Sequence, residues 1–243
     1  LALRDVRVRY QLSVLGIYWA VLNPLLMATV WSFVFSRLFK MQGMQGVPYL
    51  VFFFCSFSFW SFFSNSVQSA VSSLTGNATL LAKSYFPRVI LPTASVAARF
   101  IDFLLSLLVL GIFMVIYRVP LRPSAAIAIP LFVLEAMFTL GMAYLFSSLN
   151  VLFRDMQQIA GVLLMVWMYL SPVMYPLDNV PSAYLIHFNP LGTLNGLQTK
   201  AILGSSLAGW WKTAAISGAV CVVMLVVGYF VFKRVERLVS EVL

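Results

Sequence analysis

Between Thr213 and Phe232 the chain runs 20 residues without a charge, and the stretch from Met156 to Leu177 is charge-free as well. A helix rises 1.5 Å per residue, so about twenty apolar residues cover a hydrocarbon core of about 30 Å. Four more stretches approach that length. They run from about Ile17 to Phe35, where Asn23-Pro24 interrupts the start, and from Pro48 to Val71, rich in Phe, Trp and Ser. The others run from Val96 to Tyr117, carrying Arg99 and Asp102, and from Ala125 to Leu149, carrying Glu135. Barrel strands would alternate apolar and polar residues, and these stretches do not. The expected fold is therefore one all-α transmembrane domain over residues 1–243 with six spans. At 62% hydrophobic and 9% charged residues, against about 25% charged in soluble proteins, a water-facing surface is excluded.

Basic residues orient the spans. With the N-terminus in the cytoplasm, Arg4, Arg7, Arg9, Lys83, Arg88, Arg99, Arg154, Lys233, Arg234 and Arg237 fall inside. Arg37, Lys40, Arg118, Arg122, Lys200 and Lys212 fall outside, a division of ten against six. Six spans return the C-terminus to the cytoplasm. Arg4, Asp5, Arg7 and Arg9 interrupt any apolar core of a secretory signal. Cys55 and Cys221 both lie in apolar runs and read as small buried hydrophobes rather than disulfide or metal ligands.

Three polar cassettes separate the spans. At the N-terminus, Leu3, Val6, Tyr10, Val14 and Ile17 fall on one helical face beside Arg4, Arg7 and Gln11, as in an interface helix over residues 1–16 lying on the membrane. The segment Asn77–Pro92 combines a helix-starting Asn77, apolar Leu80, Leu81 and Phe86, basic Lys83 and Arg88, and the prolines Pro87 and Pro92. It reads as a small surface helix offered to a partner, or as a plain loop. The turn at Arg154-Asp155 suits capping of neighbouring helix ends.

The segment 178–209 is too apolar for a solvated loop and too interrupted by Pro181 and Pro190 for a span. Short re-entrant helices fit it, as does an ordinary loop with one surface helix. Arg99 and Asp102, three apart, can pair on one helix face. Glu135 is alone, and a helix-packing hydrogen bond is its expected role. Trp31, Phe52, Phe59, Trp60, Phe63, Trp167, Tyr169 and Tyr175 leave two readings open. They either pack and form interfacial belts, or they form a wall that meets the C–H faces of sugars. There is no Walker-type phosphate loop and no metal motif, so ATP-driven work would need another polypeptide.

With these residues in place, the chain resembles the permease subunits of ABC exporters for lipid-linked polysaccharides. Four blocks carry the resemblance across nearly the whole sequence. The first is Arg4-Asp5 to Arg9-Tyr10 with Ser13, Leu15-Gly16, Trp19 and Asn23-Pro24. The second is the Asn77–Pro92 cassette, and the third is Asn150-Val151 with Phe153-Arg154-Asp155. The fourth is Ser171–Pro176 with Asn189-Pro190-Leu191.

The resemblance implies a homodimer in the bacterial cytoplasmic (inner) membrane, working with two copies of an ATPase subunit that binds ATP and Mg. It implies no cofactor on this chain, no catalytic residue and no nucleic-acid partner. Asn77, Leu80, Leu81, Lys83, Phe86, Pro87 and Arg88 would form the coupling helix gripped by the ATPase, and Arg4, Arg7, Arg9 and Tyr10 would belong to an interface helix. Two short re-entrant helices would precede the last span. An aromatic-lined channel between protomers would carry a polysaccharide on an undecaprenyl-type lipid, of O-antigen type, with teichoic acid and capsule as alternatives. ATP-driven closure would push on the cassette, tilting the first and fifth spans. An ion-driven carrier using Glu135 and Arg99/Asp102 is the rival, and it would call for an internal repeat with paired broken helices. A membrane enzyme acting on lipid-linked sugars would have only Asp178 and His187 on its outer side.

Overall fold

The computed structural model describes residues 18–38, 40–41, 43–44, 46–77, 87–153, 155–179, 189–207 and 209–242. Among these there are helices and turns and no strand. α1 is Tyr18–Phe33, continued by a π-helical turn over Val34–Leu38. α2 is Tyr49–Val71, α3 Ile90–Ile116, α4 Ala128–Leu152 and α5 Met156–Leu170. α6 is Pro190–Leu203 and α7 Trp210–Val242. Of the described helices, four are long and apolar enough to cross a membrane: α2, α3, α4 with the 3-10 turn before it, and α7.

Proline explains most of the departures from the expected boundaries. Pro24 does not break α1, which runs through it. Pro92, which closes the cassette read from the sequence, lies in the first turn of α3. The first N–H groups of a helix have no partner within it, so a missing one costs little there. The fifth apolar stretch was expected to reach Leu177, yet α5 ends at Leu170. Ser171 precedes Pro172 and is held extended, with φ −100° and ψ 149°. At the other end of the chain, α7 continues ten residues past the expected limit at Phe232. Within 178–209 the described structure is the end of a 3-10 turn over Leu177–Asn179 and the 14-residue α6.

α2 is the centre of the bundle and touches α1, α3, α4, α5 and α6. Its phenylalanines fill the core, with Phe52, Phe53, Phe54 and Phe63 all buried. Phe62 reaches Phe132 of α4 at 5.1 Å between ring centroids, and Phe103 of α3 stacks on Phe132 at 4.6 Å. Lipid tails are as apolar as these rings, so in a bilayer such close packing supplies the association that water supplies elsewhere. Leu104, Leu108 and Val115 of α3 and Val223, Val226 and Phe230 of α7 are exposed and face outward. The most extensive helix pair is α4 with α7. It closes on two glycines: a Cβ at Gly228 would lie 2.1 Å from the carbonyl oxygen of Gly141.

α6 lies inside the bundle and is almost wholly buried. Asn189 caps its start by accepting from the Gly192 N–H at 2.8 Å, Pro190 occupies the first turn, and Gly204 ends it in the left-handed conformation at φ 77°.

Candidate functional site

One face of α2 is polar. Ser58, Ser61, Asn65 and Gln68 follow at steps of three, four and three residues, which places them along one stripe of a helix. Arg99, Asp102 and Ser106 make a second stripe on α3 at steps of three and four. The two stripes meet in a cleft of about 780 Å³, walled by α1 on one side and α5 on the other. Trp19 and Trp31 of α1, Trp60 of α2 and Tyr169 of α5 bring rings to the same space.

The polar groups are partly tied to one another. Ser58 donates to the Phe54 carbonyl at 2.7 Å, and the Asn65 amide donates to the Ser61 hydroxyl at 2.8 Å. Arg99 Nε donates to Ser69 Oγ at 2.8 Å, and its Nη1 lies 3.3 Å from Asp102 Oδ2. The expected pairing of Arg99 with Asp102 is thus present. Gln68 Oε1 is buried and has no hydrogen-bond partner among the described residues. Polar side chains in a membrane-spanning bundle are costly unless they face protein partners or a water-filled space. Two polar stripes facing one another across a cleft suit a hydrated, hydroxyl-bearing ligand with ring faces alongside.

A second polar system joins α6 to its surroundings and is buried. Ser56 donates to Asn195 Oδ1 at 2.6 Å, while the Asn195 amide donates to the Ser56 carbonyl at 2.9 Å. Gln198 Nε2 donates to Glu135 Oε2 at 2.8 Å, with both side chains fully enclosed. Asn189 accepts from Trp167 Nε1 at 3.0 Å and donates to the Leu170 carbonyl and Ser171 Oγ at 3.2 and 3.0 Å. Glu135 therefore sits in a helix-packing hydrogen bond. Replacing Gln198 with Leu strands that carboxyl, with an expected loss of about 1–3 kcal/mol. The double change Glu135→Leu with Gln198→Leu should recover most of it. Thermal unfolding in detergent checks both, and a double variant no more stable than the single would refute the pairing.

The candidate residues taken from the sequence separate into groups. Trp31, Trp60 and Tyr169 line the cleft. Phe52, Phe59 and Phe63 pack in the core of the subunit. Trp167 sits edge-on to Phe63 at 5.5 Å, and Tyr175 donates its hydroxyl to the Tyr169 carbonyl at 3.2 Å. Tyr175 also lines a separate recess with Met41, Met44 and Asp178.

Asn77 ends a 3-10 turn and its amide donates back to the Ser73 carbonyl at 2.9 Å. Pro87 is exposed at the entry to α3. Arg88, expected in the helix offered to a partner, donates to the backbone carbonyl of Glu236 on α7 at 2.7 Å. Asp155 occupies the N-cap position of α5 but makes no capping hydrogen bond; what it offers there is charge next to a helix N-terminus. Arg4, Arg7, Arg9, Tyr10, Leu80, Leu81, Lys83, Phe86 and Arg154 lie outside the described residues.

The α2 stripe is masked in the sequence by the denser aromatic pattern beside it. Its signal was the three-four-three recurrence of Ser, Ser, Asn and Gln inside a charge-free span. Free Cys55 and Cys221 are buried, as expected for small apolar residues, and no cluster fit to hold a metal occurs among the described residues.

Residues 1–195 match the family model described as ABC-2 type transporter. An O-antigen export system permease protein RfbA of Klebsiella pneumoniae is 29% identical over 99% of this chain and 92% of its own length. Another of that name, from Myxococcus xanthus, is 33% identical over 79% of this chain and 74% of its own. The capsule polysaccharide export inner-membrane protein CtrC of Neisseria meningitidis is 22% identical over 74% of this chain and 68% of its own.

Proposed function

Because this chain belongs to the ABC-2 type transporter family, we propose that it is the inner-membrane subunit through which a separate ATPase drives a lipid-linked polysaccharide of O-antigen type outward. The observation that carries this reading is the cleft, where hydroxyls and amides on α2 and α3 face indole and phenol rings on α1, α2 and α5. A carbohydrate presents hydroxyls at its rim and C–H groups on its faces, and both kinds of wall are needed to guide it without holding it. A second copy of the chain would close the open side into a channel. Trp31, Trp60 and Tyr169 would supply its aromatic surface, while Phe52, Phe59 and Phe63 would hold each subunit together.

In this reading α1 with its π-helical turn and α5 with the residues after it are the two remaining crossings, making six, with both termini in the cytoplasm. Asn77–Pro92 and residues 1–16 meet the ATPase, which binds the ATP and Mg. ATP binding can drive the cycle only through contacts that differ between its states. The polymer rides on an undecaprenyl-type lipid. Capsule polysaccharide is the alternative cargo, favoured by the likeness to the capsule export protein.

The test is export from a host that makes the lipid-linked polymer but lacks its exporter. The chain together with its partner ATPase should restore surface polymer, and neither alone should. Lys83→Ala with Phe86→Ala should abolish both export and substrate-stimulated ATP hydrolysis while the complex still copurifies. Retention of both activities in the assembled variant would remove the coupling role. Export by the chain without any ATPase would favour the ion-driven rival.

A further inference from the structure

The cleft has a charge balance that bears on its cargo. Among the described residues lining it, the ionisable ones with opposite charge are Arg99 and Asp102, 3.3 Å apart. The remaining polar lining consists of hydroxyls and carboxamides, among them Asn23 of α1 and Ser106 of α3, and along one stripe of α2 the buried Ser58 followed by Ser61, Asn65 and Gln68. These neutral groups recur at about one per helical turn of 5.4 Å, a step comparable with the length of one pyranose ring. Each can both donate and accept, so each can meet a sugar hydroxyl in either orientation.

We propose that this stripe is a sliding surface selective for an uncharged glycan, its carboxamides and hydroxyls passing neutral sugar residues one helical turn at a time. The proposal rests on the export reading above and adds the chemistry of the repeat unit. An anionic repeat, rich in uronate or bridged by phosphodiesters, would enter a space of low dielectric where the described lining holds no matching excess of positive charge. Desolvating a charge is costly wherever compensation is incomplete. A neutral repeat exchanges water hydrogen bonds for amide and hydroxyl hydrogen bonds at nearly constant energy, so no step along the path is a deep trap. The Arg99–Asp102 pair keeps the same neutrality, because its two charges cancel for any ligand more than a few ångströms away.

The experiment places the chain and its ATPase in an export-deficient host that builds one of two polymers on the same lipid carrier. One has a neutral hexose repeat, and the other carries a hexuronate in each repeat. The wild type should export the neutral polymer at least about tenfold more than the anionic one. Asn65→Lys adds a positive charge to the cleft and, independently, Asp102→Asn removes a negative one; each makes the net charge one unit more positive and should raise the anionic-to-neutral ratio by about tenfold. Asn65→Asp should lower it.

Purified wild-type complex in nanodiscs provides a reading that needs no variant to fold. A neutral oligosaccharide should quench tryptophan fluorescence, and the uronate oligosaccharide of equal length should not. Equal export of the two polymers by the wild type, or equal quenching, overturns the selectivity while leaving the export function intact. A ratio unmoved in folded variants overturns the placement of the selective surface in this cleft. Failure of the assembled wild type to export either polymer overturns the export reading, and the inference with it.

Discussion

Replacing Gly228 with alanine will drive α7 away from α4, and Gly228→Leu will leave little folded protein. The Cβ that alanine introduces would stand 2.1 Å from the carbonyl oxygen of Gly141, far inside contact distance. That oxygen belongs to helix backbone, so no rotamer change can relieve the clash and one helix must shift. The mirror position is equally tight: a Cβ at Gly141 would lie 2.5 Å from the Met224 carbonyl oxygen. Overpacking usually costs about 1–3 kcal/mol, and a clash against backbone on both sides belongs at or above the upper end. In a membrane the cost is also less readily recovered elsewhere, since helix association there depends on close approach. Gly111→Ala on α3 is the control, because nothing lies within 4 Å of its added Cβ. Thermal unfolding and monodispersity in detergent should show Gly228→Ala far below wild type and Gly111→Ala close to it. A Gly228→Ala protein of wild-type stability would mean that α4 and α7 are farther apart than described.

Asn189→Ala is expected to be nearly as damaging, although only one short side chain is removed. That side chain caps α6, takes the indole proton of Trp167, and satisfies the Leu170 carbonyl and the Ser171 hydroxyl. A lost N-cap costs about 0.5–2 kcal/mol, and each stranded buried partner adds about 1–3 kcal/mol. These terms share one residue and do not simply add, so a loss of about 3–5 kcal/mol is expected. Asn189→Asp separates the two halves of the role. It keeps an acceptor for Gly192 and Trp167 and loses the donor for Leu170 and Ser171, so its stability should fall between the other two. Unfolding followed by tryptophan emission measures all three. An Asn189→Ala protein as stable as wild type would refute the capping account, whereas a shortfall in Asn189→Asp also contains the cost of a buried carboxylate facing the Leu170 carbonyl.

Hydropathy was the part of this fold most openly written in the chain. The apolar run from Pro48 to Val71 became α2 within a residue, because an unbroken apolar stretch of bilayer length has few alternatives to a helix. Local chemistry also carried Arg99 with Asp102, three apart on one helix, and a hydrogen-bonded Glu135 within the bundle. The identity of Glu135's partner was hidden, since Gln198 lies 63 residues away and only tertiary packing joins them. Proline was legible as punctuation but not as syntax. Pro92 and Pro172 each mark a boundary, yet one opens a helix and the other follows a helix end. Which applies depends on the helix around it rather than on proline itself. The aromatic residues of α2 were readable as a group and not as individuals. Phe59 and Trp60 are adjacent in sequence and both are buried, but Phe59 meets Phe103 while Trp60 packs on Phe63 and borders the cleft.

The burial of α6 has a consequence for the order in which a ribosome-bound chain can mature. This helix carries Thr193, Asn195, Gln198, Thr199 and Lys200 within 14 residues, too polar a set to partition into lipid by itself. It can settle only into a nest already lined by Ser56, Glu135 and Trp167, so α2, α4 and α5 must be in place first. Until Asn189 and the helix after it emerge from the ribosome, those three side chains lack the partners Asn189, Asn195 and Gln198 that they have in the folded chain.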